Sequence, residues 1–235
     1  MYSDSLFNFS KITEDQPLEE AAELLYKIAT PKPSFLLDTG IHEDDIFKRA
    51  QKISQSIELI EDIKINTNLK KSIYFAAGIM PDLKSVDNRF AAVEKLENTI
   101  KDFKESDNPF ADHLVAIGPC GIDHDWDSVE YEGRDHDFFD NSTIDDERNL
   151  FALELTLGKK LDMPVIVHSR KGYKDTADVL KAIKWNNGVI HGFTYNQSEL
   201  AFFLDMGWYI SFSGTVTYAG KKSFYDMSDV VSYVP

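Results

Sequence analysis

Two histidines follow apolar runs in the second half of the chain, where they could take part in metal or phosphate chemistry. His168 follows the run 165–167 and precedes Arg170 by two residues, and His191 follows 189–190. Neutral imidazole is a ligand for zinc, iron, nickel and copper, so two such histidines on neighbouring strands could bind one metal ion. Arg170 would offer a planar guanidinium fork to a phosphate or carboxylate. The spacing alone nevertheless favours a second interpretation, in which both histidines form hydrogen bonds within the protein and the arginine pairs with an acid.

A third candidate run, 118–123 (GPCGID), follows the apolar segment 114–117 and contains Cys120 and Asp123. A cysteine becomes a nucleophile when a base or a cation lowers its thiol pKa, and the sequence identifies no such neighbour, so we interpret Cys120 as a small buried thiol. The acidic, aromatic segment 121–142 that follows has no clear period. Both a functional loop and a solvated surface excursion fit it.

The remaining histidines, His113, His124 and His136, stand among polar residues, and we expect them to be exposed.

Amphipathic helices separate the apolar runs. The period of three to four apolar residues predicts helices over 43–60 and 86–104, and a further helix that begins near Ser142 or Thr143. Pro17 marks the start of another helix, which Pro31 terminates. Seven short apolar segments alternate with the helical ones, at 2–9, 35–37, 73–77, 114–117, 165–167, 189–190 and 208–212.

Strict alternation of buried strands and helices predicts an α/β fold with a parallel sheet. A doubly wound sheet stays open as an alternative, although no glycine-rich phosphate loop follows the first strand. Seven units are one short of a closed (β/α)8 barrel, in which polar residues at the strand ends form the site. We expect an eighth strand after Pro235 in a longer natural chain, or a partner that covers the gap.

Length and charge restrict the function further. The 235 residues are 43% hydrophobic, which suits a single domain over 1–235 with one core. Lys and Arg number 25 against 40 Asp and Glu, so the net charge of −15 disfavours general binding to nucleic acid or to a membrane surface. One cysteine excludes an internal disulfide, and no signal pattern or membrane-length apolar run occurs. We therefore expect a cytoplasmic protein.

The sequence resembles the TatD family of metal-dependent deoxyribonucleases, a branch of the amidohydrolase-like barrels. The runs that carry this resemblance are 77–81 (AGIMP), 115–123 (VAIGPCGID), 164–170 (PVIVHSR), 188–193 (GVIHGF) and 207–214 (GWYISFSG). The resemblance implies a (β/α)8 barrel with a one-metal or two-metal site that hydrolyses phosphodiester bonds in DNA.

Most of the metal ligands that the resemblance implies are replaced here. The family opens on an Asp-Thr-His-x-His-like motif, whereas this chain has 4–8 (DSLFN), in which Asn8 offers only a neutral carbonyl oxygen. Pro119 stands in place of a bridging Glu, and 78–82 (GIMPD) lacks both histidines of a Gly-Ile-His-Pro-His-like run. Of the usual ligands, His168 and His191 remain, and a final Asp would lie beyond the end of this chain.

A pair of divalent ions needs carboxylates that this chain lacks, so we expect at most one ion, such as zinc, manganese, nickel or magnesium. His168, His191 and an acid such as Asp123 could hold it, with Asn8 as a further candidate, and the sequence also allows no metal at all. Arg170 keeps its place near the scissile phosphate. We expect weak or lost hydrolysis. The alternative is a non-catalytic binding or regulatory protein whose cleft takes an anionic small molecule or a DNA end.

Overall fold

The computed structural model describes residues 3–4, 7–124, 141–214 and 228–234. The strands are β1 Ser3–Asp4, β2 Phe35–Thr39, β3 Ile73–Ala77, β4 Leu114–Asp123, β5 Val165–Arg170, β6 Gly188–His191 and β7 Tyr209–Ile210. The helices are α1 Phe9–Ile12, α2 Leu18–Ala29, α3 Ile46–Glu58, α4 Ile63–Ser72, α5 Leu83–Asp87, α6 Arg89–Lys104, α7 Asn141–Leu161, α8 Tyr173–Ile183, α9 Gln197–Asp205 and α10 Ser228–Val231. A short 3₁₀ helix covers Ala111–His113.

The chain forms two compact units, one from 1–78 with 95–116 and the other from 79–94 with 117–235. The organisation of the chain as a single domain over 1–235 stays a prediction.

In the first unit, β1, β2 and β3 pair in parallel in chain order, with Leu36 opposite Ile73. The apolar stripe of α3 packs into this unit, since Ala50, Ile53 and Ile57 are completely buried. Strand β2 ends at a buried ion pair, in which Asp38 lies 2.7 Å from the Arg49 guanidinium of α3. Helix and strand therefore meet through both apolar packing and a charge pair.

In the second unit, β4, β5, β6 and β7 are likewise parallel neighbours in chain order. Helices α7 and α8 pack against each other, and α5 packs on α7. The β4–β5 pairing is irregular between Ile117 and Cys120, after which Gly121 pairs with His168. A side chain at Gly121 would collide with the His168 carbonyl oxygen, because an added Cβ atom would lie 2.0 Å from it. This glycine therefore permits the close approach of β4 to β5.

The predicted α/β alternation is confirmed, with differences at several element ends. The predicted strand over 2–9 is wrong at its end, because Asn8 adopts a left-handed backbone (φ 47°) and Phe9 begins α1. The start of α7 at Asn141 agrees with the predicted start near Ser142. Residues Ser228–Val231 form α10, the last described element. No described helix combines the length and the apolar character that a membrane span requires.

Candidate strand-end site

Four of the candidate side chains lie on one face of the β4–β6 sheet at its carboxyl end. Residues two apart in a strand share a face, so His168 and Arg170 point to the same side of β5. Asp123 is paired with Arg170, and His168 is paired with His191. The four residues Asp123, His168, Arg170 and His191 therefore define what we call the strand-end face, and Ser169 points to the opposite, helix-covered side.

Asp123 and His168 form the most direct contact of the strand-end face. His168 Nε2 lies 2.9 Å from Asp123 Oδ2, and the Asp123 carboxylate is almost completely buried. The Asp123 backbone N–H donates to Oε1 of Glu147 on α7 at 2.9 Å. Asp123 is thus held at its backbone by a helix and at its side chain by a neighbouring strand.

The two other members of the face are positioned by main-chain and side-chain hydrogen bonds. His191 Nδ1 lies 2.8 Å from Ser211 Oγ, which follows β7. The Arg170 carbonyl oxygen accepts the His124 N–H at 2.9 Å, which extends the β4–β5 pairing by one residue. The guanidinium-bearing side chain of Arg170 is half-buried at the end of β5.

His124 is not exposed, which corrects the sequence-based expectation. Its side chain is 19% exposed, with Nε2 at 3.3 Å from Glu147 Oε2 and Nδ1 at 3.9 Å from Asp175 Oδ2. The Glu147 carboxylate raises the pKa of His124 above its ordinary value, against the opposing effect of partial burial. Arg148 completes the cluster, with Nε at 3.6 Å from Asp175 Oδ1. Sequence reasoning missed this cluster because its acids lie on α7 and α8, far along the chain.

The expectation for His113 is also wrong, whereas His136 lies outside the described residues. The His113 ring stacks on Tyr74, and its Nδ1 lies 2.6 Å from the Ile73 carbonyl oxygen. These contacts give His113 a structural role in the first unit.

A hydroxyl network fixes the turn that follows β5. Ser169 Oγ lies 2.6 Å from the Tyr195 hydroxyl and 2.7 Å from Thr176 Oγ1. The Gly172 N–H donates to the same Tyr195 oxygen at 3.2 Å. Burial raises the pKa of Tyr195, so the phenol keeps its proton. These hydrogen bonds lie on the helix-covered side of β5, and they stabilise the segment that carries Arg170.

Cys120 is completely buried, as we predicted from the sequence. Its sulfur lies 3.7 Å from the Ile166 carbonyl oxygen. Burial, and secondarily the nearby Glu154 carboxyl, raise the pKa of the thiol well above its ordinary value. The thiolate is therefore disfavoured, and the residue is not suited to act as a nucleophile.

The donor set fits a metal pair poorly. The described residues hold no group of three His, Cys, Asp or Glu side chains arranged to bind an ion. Asn8, in the first unit, accepts the Thr39 hydroxyl at 2.7 Å through its carbonyl oxygen. Asp123 Oδ2 and His168 Nε2 remain as two donors 2.9 Å apart. These two atoms would be the first donors to a single ion, if one is bound.

Comparison with known proteins identifies the family to which this chain belongs. The family model described as "TatD related DNase" matches residues 48–235, and the chain belongs to this family. It is similar to the uncharacterized metal-dependent hydrolase BU355 of Buchnera aphidicola subsp. Acyrthosiphon pisum (strain APS), at 25% identity over 224 residues. This match covers 86% of the chain and 77% of the relative.

Two further similarities come from Escherichia coli. The uncharacterized metal-dependent hydrolase YcfH of strain K12 is 32% identical over 124 residues, which are 52% of this chain and 41% of YcfH. The crystal structure of the TatD homolog YjjV superimposes with a TM-score of 0.69 at 22% identity, over 100% of this chain and 75% of that chain. This structural similarity confirms the predicted TIM-type α/β barrel fold class.

Proposed function

We propose that this protein binds phosphodiesters or related anions at the strand-end face and that its hydrolytic activity is weak or lost. The contact between Asp123 and His168, on the face that also carries Arg170, supports this proposal most directly. The relatives named metal-dependent hydrolases support the hydrolase assignment at the level of the family.

Each residue of the face has a chemical role in this proposal. Arg170 holds a phosphate group, because its guanidinium can donate two parallel hydrogen bonds to anionic oxygens. A single divalent ion such as zinc, manganese, nickel or magnesium would be held by Asp123 and His168, whose donor atoms lie 2.9 Å apart, and His191 would have to shift to become a third ligand. Such an ion would polarise a phosphoryl oxygen and lower the pKa of bound water. His168 and Asp123 fix each other's orientation through their 2.9 Å contact.

The expected loss of activity follows from the missing acids. Pro119 lies in β4 where the family resemblance implies a bridging carboxylate, and proline offers no ligand. Replacing a direct ligand should reduce metal affinity by more than the 10–100-fold typical of outer partners. The substrate that best fits a weak site of this kind is a DNA end or an anionic small molecule.

A non-catalytic binding protein is the second candidate, and one observation favours it. Asp123 and His168 already satisfy one another, and the His191 ring is hydrogen-bonded to Ser211. The face is thus held together by protein contacts, which suits a site that binds an anion without metal chemistry.

Metal analysis and DNA hydrolysis separate the two candidates. The hydrolase predicts about one equivalent of zinc, manganese or nickel that is lost in His168→Ala and His191→Ala, together with DNA cleavage that depends on added Mn²⁺ or Mg²⁺. Metal-free protein that leaves DNA intact with either ion supports the binding protein.

The anion site is tested with Arg170→Ala. Charge-assisted hydrogen bonds contribute about 1.5–3 kcal/mol, so we expect phosphate affinity to fall by about 10-fold or more. Lys27→Ala, which removes an exposed lysine paired with Glu23 in the first unit, is the control. Equal affinity of the Arg170→Ala variant and the wild type would refute the role of Arg170.

A further inference from the structure

Glu147 contacts the end of β4 at two points although it does not lie on the strand-end face. Its carboxylate is completely buried on α7. Oε1 accepts the Asp123 N–H at 2.9 Å, and Oε2 lies 3.3 Å from His124 Nε2. One carboxylate oxygen of Glu147 therefore accepts a hydrogen bond from Asp123, and the other lies within ion-pair distance of His124, the next residue of the chain.

Both consecutive residues connect Glu147 to the face. The Asp123 side chain lies 2.9 Å from His168 Nε2, and the His124 N–H donates to the Arg170 carbonyl oxygen at 2.9 Å. A displacement of the 123–124 backbone would therefore move the Asp123 side chain, which contacts His168. It would also move the main chain of Arg170, which accepts the His124 N–H. No other glutamate in the described residues makes this pair of contacts.

Glu147 is completely buried, so its carboxylate depends on contacts within the protein such as these. A fully buried carboxylate is tolerated in proteins when hydrogen bonds and charge partners compensate its lost hydration. The His124 ring is enclosed from the other side by Asp175 of α8, at 3.9 Å. The ring therefore lies between carboxylates of two packed helices, and it cannot turn without breaking contacts to both.

We propose that Glu147 is a positioning residue, which holds Asp123 against His168 and fixes the Arg170 backbone, and thereby sets the anion affinity of the strand-end face. The effect on affinity rests on the proposed function, whereas the effect on the Asp123–His168 contact does not.

Glu154 provides a matched control on the same helix. It is also completely buried and also accepts a backbone N–H, that of Ile79 at 2.8 Å. It holds the segment after β3 and makes no contact with Asp123 or His124 among the interactions of the described residues. A merely structural role would make Glu147 and Glu154 variants equivalent.

The first measurement is the ¹⁵N chemical shift of His168 Nε2 in Glu147→Asp and Glu154→Asp, which shorten each side chain and keep the carboxyl group. We expect a changed shift in Glu147→Asp and an unchanged shift in Glu154→Asp. Glu147→Gln keeps an acceptor for the Asp123 N–H and should largely restore the wild-type signal. Identical shifts in all three variants would overturn the proposal, whatever the protein binds.

The second measurement is the affinity for inorganic phosphate by calorimetry. Loss of a partner that orients a metal ligand typically costs 10–100-fold in metal affinity, and by the same reasoning we expect Glu147→Asp to bind phosphate at least about tenfold more weakly than wild type. Glu154→Asp should bind within about twofold. Equal weakening in both variants would overturn the positioning role. Absence of phosphate binding by the wild type would instead refute the proposed function and leave the His168 shift as the deciding result.

Discussion

The Asp123 carboxylate lies 2.9 Å from His168 Nε2, although Asp123 is paired across the strands with Arg170, two residues further along β5. The contact joins an almost completely buried acid to a histidine whose side chain is 17% exposed. A hydrogen bond between such groups is stronger than one in water, because the local dielectric constant is low. The pair therefore contributes to stability as well as to the proposed anion site.

Asp123→Asn tests that contribution. The amide retains the shape of the carboxylate but loses its charge, so we expect the free energy of unfolding to fall by about 1–3 kcal/mol. Asp175→Asn is the control, because this partly exposed acid makes longer contacts, at 3.6 and 3.9 Å, and should cost at most about 1 kcal/mol. Urea denaturation of both variants measures the difference. Equal destabilisation would show that the Asp123–His168 contact is no stronger than a surface pair.

Gly121→Ala should disrupt the β4–β5 pairing. Gly121 has a φ of 141°, and an added Cβ atom would lie 2.0 Å from the His168 carbonyl oxygen. Because backbone rather than a flexible side chain blocks the space, we expect a loss of about 3 kcal/mol or more. Gly214→Ala, where no atom of the described residues lies within 4 Å of the added Cβ, is the control and should be nearly neutral. A thermal unfolding midpoint unchanged in Gly121→Ala would contradict the close approach of the strands.

The sequence predicted the main elements because their apolar residues repeat at the period of the structure. The stripe over 43–60 becomes α3, and the run at 73–77 becomes β3 with the same bounds. Helix α4 was missed because its burial is confined to Leu69 and Ser72, while Ile63 is 80% exposed. An apolar stripe is the signal of a packed helix, and α4 has almost none.

The candidate site was predicted only in part. The placement of His168, Arg170 and His191 together follows from strand ends that meet at one edge of a parallel sheet. The burial of His124 could not be deduced, because it depends on Glu147 and Asp175 coming from two helices that pack together. Sequence periodicity identifies the buried face of a helix but not the partner of a buried acid.

Arg49 holds together the polar part of the first unit. Its guanidinium lies 2.7 Å from each of three acceptors, the carboxylates of Asp38 and Asp45 and the carbonyl oxygen of Ala76. Arg49→Met would leave Asp38 completely buried without its cation, so we expect a loss of about 3–5 kcal/mol. Lys27→Met removes the exposed pair with Glu23 and should change stability by at most about 0.5 kcal/mol. Similar denaturation midpoints for the two variants would argue against a structural role of the buried pair.

Glu154 makes the stability of the second unit dependent on pH. Its carboxyl group is completely buried, and Oε2 has no hydrogen-bond partner among the residues that the structure describes. Burial raises the pKa of Glu154 well above its ordinary value of 4.5, so the folded protein favours the protonated form. A group whose pKa is raised in the folded state contributes stability at pH values below its ordinary pKa. This stability is lost as the pH rises through the folded pKa.

Glu154→Gln should therefore stabilise the protein at neutral and alkaline pH. Glutamine keeps an acceptor for the Ile79 N–H and cannot ionise, so it avoids the cost of burying a charge or of binding a proton at high pH. Each unit of pKa shift corresponds to about 1.4 kcal/mol, and we expect the variant to gain at least about that much at pH 8. For a chain of this size the gain corresponds to about 2–4 °C in Tm or more.

At pH 4 the gain should be absent or much smaller, and Glu58→Gln on the exposed side of α3 should show no such trend. Thermal unfolding at pH 4, 6 and 8 measures the effect, and a Tm difference that does not change with pH would mean that Glu154 has an ordinary pKa in the folded protein.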